Sequence, residues 1–390
     1  MPNPSASAAV ADEAAIAGIP FTIASRSQRR FSNTQTVSNL SAGGTFAIVP
    51  LTATGWVRKV VLYFTQTMTV ASGAAVVAGD APWNLITGVS LSDATGQPVY
   101  QPISGYNMYL LNKYLPSGGT VFGNTDVGSP QYSPQAGRGY AFAASGTSGS
   151  AQFRLELPFE QDSQTGYGCI PNLDSNAALQ LKVDYAVYTV AMTGTTPSAA
   201  TLKLDTYQHY FAPVGKSLSG SPVEAAPPGA GDYLETRYET QTVNASSENL
   251  IVVNARGGLI KGTVGVSRAA GVRTAITAGS NVGAILDNMP IDESYPFEQF
   301  MFDVQCATGY YGAELTTSYA PLTAGTAPGT DRGVIPWLFY KQTGYRDAWL
   351  NTRVGSLLQL KVTPGASATQ FELLTQIGQI KDVPSFYDRS

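Results

Sequence analysis

Charged side chains are scarce in this chain of 390 residues. Asp, Glu, Lys and Arg together make up 13% of it, about half of the ~25% found in an average globular protein. Because interface cores are depleted in charge and enriched in Tyr, this composition is typical of subunits that neighbours cover. A secreted β-sandwich with a polar, uncharged surface explains it equally well, so the composition leaves both interpretations open.

Histidine and cysteine are rarer still. The single histidine, His209, argues against a multi-histidine metal site and against a histidine-based catalytic triad. His209 stands in an alternating run, which favours a structural role. Cys169 and Cys306 lie in different halves, and their separation fits neither a metal site nor a disulfide framework. We therefore predict no catalytic, cofactor-binding or metal-binding residues and a protein that is not an enzyme.

Basic charge and long apolar runs are also missing. The net charge of −4 gives no global basic field, so no direct contact with nucleic acid is expected. No stretch reaches the roughly 18 apolar residues of a membrane span. The first residues carry Asp12 and Glu13 without a positive region, which makes a poor signal peptide. These absences predict a protein made and kept in a reducing cytoplasm.

A repeated pattern is the main positive feature of the sequence. The pentapeptide Leu-Gln-Leu-Lys-Val occurs at residues 179–183 and again at 358–362. Each copy opens an alternating apolar and polar run, which predicts a half-buried strand, and a second run follows each copy. Residues 45–59 are echoed in the same way by residues 250–261. We interpret the chain as one β-rich unit built twice.

A Pro- and Gly-rich stretch at residues 213–232 separates the two halves. Pro removes a backbone donor and Gly adds backbone entropy, so neither a helix nor a central strand is expected there. The predicted organisation is an N-terminal arm with a short helix (1–44), a first jelly roll or sandwich (45–216), a linker (217–232) and a second such unit (233–390). Many short strands between Gly and Pro turns make the predicted fold all-β, with few short helices.

Helical spacing is confined to three segments. An Ala-rich stretch at residues 7–17 predicts a short helix, residues 103–114 predict an amphipathic helix, and a further short helix is predicted from Phe297. Two Gly- and Tyr-rich excursions, residues 118–150 and 310–327, are long enough to predict functional loops.

Two groups of residues are candidates for a site. Arg26, Arg29, Arg30 and Phe31 form a small basic cluster beside apolar residues, compatible with contact to an anionic surface and with an ordinary solvated or subunit-facing arm. Glu156 and Glu160 stand at even spacing along a predicted strand. A carboxylate pair would suit glycoside hydrolysis, whereas a solvated strand face explains the same spacing more simply.

The order of several segments resembles a known family. The segments are residues 81–86 (Ala-Pro-Trp-Asn-Leu-Ile), the turn 93–96, the predicted helix opening at Ser104, residues 156–159 (Glu-Leu-Pro-Phe), the first Leu-Gln-Leu-Lys-Val copy and residues 206–210 (Thr-Tyr-Gln-His-Tyr). In this order they are similar to the first jelly roll of tectivirus-type double jelly-roll major capsid proteins, from tailless icosahedral bacteriophages that contain a membrane. The segment 355–378 resembles the end of that family's second jelly roll.

The resemblance implies two tandem eight-stranded jelly rolls and an assembly function. Three chains would form a pseudo-hexagonal homotrimer, and trimers would tile a virion shell with penton and minor capsid proteins around an internal membrane. Arg26, Arg29, Arg30 and Phe31 would then lie at a membrane-proximal or an intersubunit contact, and the protein would be made in the host cytoplasm. The alternative is a secreted or surface β-sandwich that binds carbohydrate or acts as an adhesin.

Overall fold

The computed structural model describes residues 21–72, 76–78, 80–115, 148–163, 165–193, 196–213, 225–254, 257–308, 332–340, 349–353 and 357–378. The helix predicted at residues 7–17 lies outside these ranges. Both predicted excursions, residues 118–150 and 310–327, also lie outside them, except for residues 148–150.

The first β-unit consists of two antiparallel sheets. Its strands are β1 (Ser27–Val37), β2 (Gly44–Thr45), β3 (Val49–Pro50), β4 (Gly55–Ser72), β5 (Val76–Val77), β6 (Ile86–Ser92), β7 (Pro98–Ile103), β8 (Ser148–Pro158), β9 (Ile170–Asn172), β10 (Gln180–Tyr185), β11 (Met192–Thr193) and β12 (Thr196–Phe211). Sheet 1 has the order β1-β12-β4-β8, with β9 also on β4. Sheet 2 has the order β2-β10-β6-β7, with β3 also on β10, and β5 pairs with β11 apart from both.

The second β-unit has the same plan. Its strands are β13 (Leu234–Thr242), β14 (Asn249–Val253), β15 (Leu259–Ala269), β16 (Val272–Arg273), β17 (Asn281–Leu286), β18 (Met289–Pro296), β19 (Val334–Leu338), β20 (Leu350–Asn351), β21 (Leu358–Val362) and β22 (Gln370–Gly378). Sheet 3 runs β13-β22-β15-β16, with β19 and β20 also on β15, and sheet 4 runs β14-β21-β17-β18.

Helices occupy a small part of the described chain. The α-helices are α1 (Ile23–Arg26), α2 (Gly105–Tyr114) and α3 (Phe297–Thr308), and short 3-10 turns cover Trp83–Leu85, Ser175–Ala177 and Tyr188–Val190. Helix α2 follows edge strand β7 and helix α3 follows edge strand β18, so the helices hold the same place in the two units.

Strand order confirms that one β-unit is built twice. Strand β10 lies between β3 and β6, as β21 lies between β14 and β17. Strand β12 lies between β1 and β4, as β22 lies between β13 and β15. The two Leu-Gln-Leu-Lys-Val copies fall on β10 and β21. In β10 the alternation is as predicted, because Leu181 and Val183 are buried and Lys182 is exposed.

Two predicted elements differ from the structure. Part of the predicted arm, Ser27–Val37, is strand β1 on the edge of sheet 1, in the place that β13 holds in the second unit. Its side chains are half-buried or exposed along its length, so it lacks the apolar alternation that marks a strand. The second difference is the start of helix α2, which was predicted at residue 103 and lies at Gly105. It begins there because the Ser104 hydroxyl caps the helix by accepting a hydrogen bond from the Asn107 backbone N–H at 3.3 Å. The helix predicted from Phe297 is confirmed.

The two units share one continuous hydrophobic core. Every residue of α2 is buried, although its sequence predicts an amphipathic helix with one polar side. The second unit covers part of that side, since α2 and β7 lie against β15 and β13 of sheet 3 and Asn107 donates to Glu372. Asn112 instead bonds to the Glu156 backbone in β8 of the first unit. The middle of sheet 3 is therefore enclosed by its own unit on one side and by the first unit on the other, whereas edge strand β13 keeps exposed positions such as Tyr238. Strand β15 is accordingly buried along nearly its whole length.

Gly262 of β15 lies in close contact with the first unit. A Cβ at this position would lie 2.5 Å from a methyl carbon of Leu115, which follows α2, and 2.7 Å from the Trp337 carbonyl oxygen. Gly88 of β6 is a matched buried position where the nearest atom, Asp184 Oδ2, would be 3.4 Å away.

We expect Gly262→Ala to lower the free energy of unfolding by about 1–3 kcal/mol, because an overpacked core must shift backbone to accept the methyl group. Gly88→Ala should change it by less than about 1 kcal/mol. Urea unfolding followed by circular dichroism measures both. Equal effects of the two substitutions would contradict the close approach at Gly262.

Candidate functional site

The predicted basic cluster lies at the start of sheet 1. Arg26 ends helix α1, and its Nη1 donates a hydrogen bond to the Pro213 carbonyl oxygen at 3.2 Å. Arg29, Arg30 and Phe31 lie on edge strand β1 and are exposed, with Phe31 exposed to 49%.

Cations and aromatic rings continue from β1 across the outer surface of sheet 1. The guanidinium of Arg29 lies 4.4 Å from the ring centre of Tyr207, and Phe31 meets the same ring edge-on at 5.4 Å. Tyr207 contacts Tyr63 at 5.5 Å, and Arg154 lies 5.6 Å from the Tyr63 ring. The strand register brings these side chains to one face, because Arg29, His209 and Lys59 lie directly opposite one another on β1, β12 and β4.

We name this surface the basic face. It consists of Arg29, Phe31, Lys59, Tyr63, Arg154, Tyr207 and His209. Glu156 is the buried acid beneath it and is held by Lys59 Nζ at 3.0 Å and by Arg154. Burial, together with the nearby charges of Lys59, Arg29, Arg154 and Arg58, lowers the pKa of His209 to about 4. His209 is therefore neutral at pH 7, and the excess positive charge of this face comes from its Lys and Arg side chains.

The carboxylate pair predicted at Glu156 and Glu160 is not arranged as one strand face. Strand β8 ends at Pro158, and Glu160 lies beyond it with its carboxylate bound by Arg58, whose Nη2 is 2.9 Å away. Burial raises the pKa of Glu160, although Arg58 opposes that shift. Each glutamate is buried against a different set of basic side chains, so both carboxylates are engaged in structural ion pairs.

A second cluster of charges lies between the two units. Arg268 of sheet 3 contacts Asp80 of the first unit at 3.0 Å and Glu372 at 2.9 Å. Arg273 also pairs with Asp80, and both guanidinium groups lie over the ring of Tyr106 in α2, at 5.4 and 5.0 Å. Burial alone would raise the pKa of Asp80, but the two guanidinium groups outweigh it and hold that pKa below its usual value. We name Asp80, Tyr106, Arg268, Arg273 and Glu372 the junction cluster.

Four residues of the junction cluster, Asp80, Tyr106, Arg268 and Glu372, line a cleft of about 390 Å³. Asn107 of α2 donates to Glu372 at 3.4 Å, so the helix contributes both an aromatic ring and an amide to the charged group. The two cations and two anions of the junction cluster neutralise one another, which makes the cluster suited to holding the units together. Within the described residues, no group of three or more His, Cys, Asp or Glu side chains is placed to hold a metal ion.

Lys261 is a third charged group at the same junction. It is 1% exposed, and its Nζ donates to the Leu115 carbonyl oxygen at 3.3 Å. The rings of Tyr340 and Trp349 lie 5.5 and 5.8 Å from the Nζ atom. Burial lowers the pKa of Lys261 to about 7, so this amine changes its charge near neutral pH.

The junction cluster and Lys261 were not predicted from the sequence. Arg268 stands 188 residues from Asp80 along the chain, and no local spacing connects them. A weak signal exists at Lys261 and Arg268, since both interrupt the apolar strand β15. Among the described helices, none is both long enough and apolar enough to cross a membrane.

Solved structures share this fold. The chain is similar to a protein in the atomic structure of Sulfolobus turreted icosahedral virus, with 13% identity and a TM-score of 0.57 over 93% of this chain and 92% of that one. It is also similar to the crystal structure of that virus's major capsid protein, with 14% identity and a TM-score of 0.55 over 93% of this chain and 98% of that one. The faustovirus major capsid protein is similar too, with 9% identity and a TM-score of 0.51 over 92% of this chain and 90% of that one. No protein-family model and no curated protein matches the sequence. The double jelly-roll fold predicted from the sequence is thereby confirmed.

We expect Asp80→Asn to lower the free energy of unfolding by about 3–5 kcal/mol, because two buried guanidinium groups lose their shared carboxylate. The control is Asp184→Asn, which removes a more exposed carboxylate paired with Lys182 at 3.0 Å and should cost less than about 1 kcal/mol. Chemical denaturation at pH 7 compares the two. Similar small losses would show that the junction cluster does not hold the units together.

Lys261→Met tests the buried amine through its pH dependence. The folded pKa of Lys261 is about 7 against about 10.4 in an unfolded chain, so the unfolded state binds more protons between these values. Stability of the wild type should therefore rise with pH in this window, by up to about 1.4 kcal/mol per pH unit. The variant should be more stable than wild type at pH 6, and this gain should shrink towards pH 10.

The control for this measurement is Lys182→Met, which replaces an exposed amine of β10. Its effect on the free energy of unfolding should stay below about 1 kcal/mol at pH 6 and at pH 10, because the ion pair of Lys182 with Asp184 is exposed to solvent. A gain for Lys261→Met that is equally large at both pH values would contradict a neutral amine at the junction.

Proposed function

We propose that this chain is the major capsid protein of an icosahedral virus and that its function is assembly. The observation that carries the proposal is the double β-unit itself, in which two copies of one sandwich are joined through a buried, charge-compensated junction. The likeness to viral major capsid proteins, extending over nine-tenths or more of both chains, supports it. The described side chains with shifted pKa values are engaged in packing, hydrogen bonds and ion pairs, which suits a structural protein.

The repeated unit supports the proposal of a trimer. Three chains with two similar units each place six similar blocks around one axis, giving a three-fold ring a nearly hexagonal outline. Such outlines tile a surface, so neighbouring trimers would meet edge to edge. The free energy of assembly would come from burial at interfaces, which in stable complexes cover ~1,600 Å² or more, summed over many copies.

Finer parts of the proposal rest on the family resemblance. They are a bacteriophage host, penton and minor capsid partners, an internal membrane, location in the virion, and a division into units at residues 217–232. Arg26, Arg29, Arg30 and Phe31 are proposed to lie at a contact with the membrane or with another subunit. Lipid analysis of purified particles would test for the membrane, and a structure of the particles would test the subunit contacts.

The first test is the mass of the purified protein by light scattering, combined with negative-stain images of the same peak. We expect a particle of three times the chain mass of 41.0 kDa, with a hexagonal outline. One chain supplies two similar units, so three chains are needed to complete a ring of six.

A monomer at every concentration and salt condition tested would contradict this function. The same sample would then be examined for glycan binding, which is the activity expected of a secreted or surface β-sandwich. Asp80→Asn provides a useful comparison, since it should weaken the junction within each chain without altering the outer surfaces of the units.

A further inference from the structure

Surfaces that correspond in the two units are buried in one unit and exposed in the other. Inside the chain, the β7–α2 side of the first unit covers the outer face of sheet 3 in the second unit. The contact places Tyr106 of α2 beneath Arg268 and places Asn107 against Glu372. Each of these two surfaces has a counterpart in the other unit, because β18 and α3 correspond to β7 and α2, and sheet 1 corresponds to sheet 3.

Both counterparts are accessible in the single chain. On the second unit, Phe302 of α3 is 61% exposed, and Met289 and Ile291 of β18 are 67% and 39% exposed. On the first unit, Arg29 is exposed and Phe31 is 49% exposed on β1, the strand that takes the place of β13. By contrast, every residue of α2 is buried. Exposed apolar side chains at both counterpart positions mark surfaces suited to an interface.

The charges of the two accessible surfaces are opposite. No Lys or Arg occurs between Arg273 and Arg332, a stretch that contains all of β17, β18 and α3. We name seven residues of this stretch the acidic face. They are the exposed Asp287, Met289, Ile291, Glu298, Phe302 and Asp303, and the half-buried Asp292. Glu298 accepts from the Gly279 backbone N–H at 2.9 Å, and Asp303 from the Tyr295 hydroxyl at 3.4 Å. Both of these donors are uncharged groups.

The basic face of sheet 1 complements this surface. Arg29, Lys59 and Arg154 supply three cations, and the buried Glu156 offsets one of them. His209 adds no charge at pH 7, because its pKa is lowered to about 4. At the far end of sheet 1, Lys203 and Asp205 neutralise each other at 2.8 Å. The face is thus positive where β1 presents Arg29 and Phe31.

We propose that the acidic face of one copy docks on the basic face of the next copy and repeats, between chains, the contact that joins the two units within a chain. Edge strand β18 would lie beside β1 of the neighbour, as β7 lies beside β13, and α3 would pack on the rings of Tyr63 and Tyr207. The contact is heterologous, and such contacts close into a ring when the rotation permits. The proposal rests on the proposed function, since it specifies which surfaces hold the trimer together.

The occupant of the basic face is a second copy of this chain. The acidic face matches it in charge, in exposed apolar side chains and in its position in the repeated plan. An anionic lipid surface would satisfy the charge alone and would leave Phe302, Met289 and Ile291 exposed. The assignment therefore places Arg29 and Phe31 at an intersubunit contact.

Charge reversal tests the docking in the full-length chain. One variant carries Arg29→Glu and Phe31→Glu on β1, a second carries Glu298→Arg and Asp303→Arg on α3, and a third carries all four substitutions. The matched control carries Lys182→Glu and Lys361→Glu, which reverse two charges on the outer surfaces of sheets 2 and 4. Circular dichroism and thermal unfolding show whether each variant folds.

Each single-face variant should raise the concentration at which trimers dissociate by roughly tenfold or more, because close interfacial charge pairs contribute strongly to binding. The four-fold variant should recover much of that loss, since its reversed faces are again complementary. The control should behave as wild type. Light scattering across a dilution series measures all five proteins.

The outcomes separate this proposal from the proposed function. A wild-type trimer whose stability is unchanged in both single-face variants would overturn the docking and leave the capsid function standing. A wild type that is a monomer under all conditions would overturn both. Loss of binding to vesicles of anionic phospholipid in the Arg29→Glu, Phe31→Glu variant, with an unchanged trimer, would assign the basic face to a membrane instead.

Zero-length cross-linking gives a second readout that needs no variant. Carbodiimide treatment of a trimer made from mixed ¹⁴N and ¹⁵N copies should join Lys59 to Glu298 or Asp303 in isotopically mixed peptides. The link between Lys361 and the exposed Glu248, whose atoms are 2.8 Å apart within one chain, serves as the internal standard. Mixed-isotope links from Lys59 only to carboxylates outside the acidic face would contradict the docking.

Discussion

Two guanidinium groups buried between the β-units constrain how the whole molecule is built. Arg268 and Arg273 come from the second unit, and the carboxylate they share, Asp80, comes from the first. A buried cation without a partner costs several kcal/mol, so a mutual shift of the units that separated these groups would be strongly disfavoured. Two neighbouring residues of β15 add to this constraint. Lys261 buries an amine at the junction, and Gly262 leaves no room for a single added methyl group.

This junction explains features of composition that are otherwise hard to place. The middle of sheet 3 is covered on both faces, so β15 is buried nearly throughout and does not alternate as a solvated strand would. Helix α2 is buried on all sides for the same reason. Each repetition of the contact between copies would remove further surface from water. A protein that buries its faces in this way has few places for charged side chains.

The elements that could be predicted are those whose pattern is local. Strand β10 and α3 were predictable, because Leu181 and Val183 alternate with polar residues and because Phe297 begins a run of helical spacing. Strand β1 could not be predicted, since an exposed edge strand carries no apolar stripe. The basic cluster at Arg29 was visible in the sequence, whereas its continuation through Lys59 and Arg154 depends on strands that pair across long stretches of chain.

The sequence by itself determined that a β-unit is built twice, that helices are few, and that chemistry based on histidine or on a cysteine framework has little support. These properties depend on composition and on periods of two or 3.6 residues, which neighbouring residues set among themselves. Only the tertiary structure decided which faces meet. The partnership of Asp80 with Arg268, 188 residues apart, arises from the packing of one folded unit on the other, because two distant side chains become neighbours only after both sheets have formed.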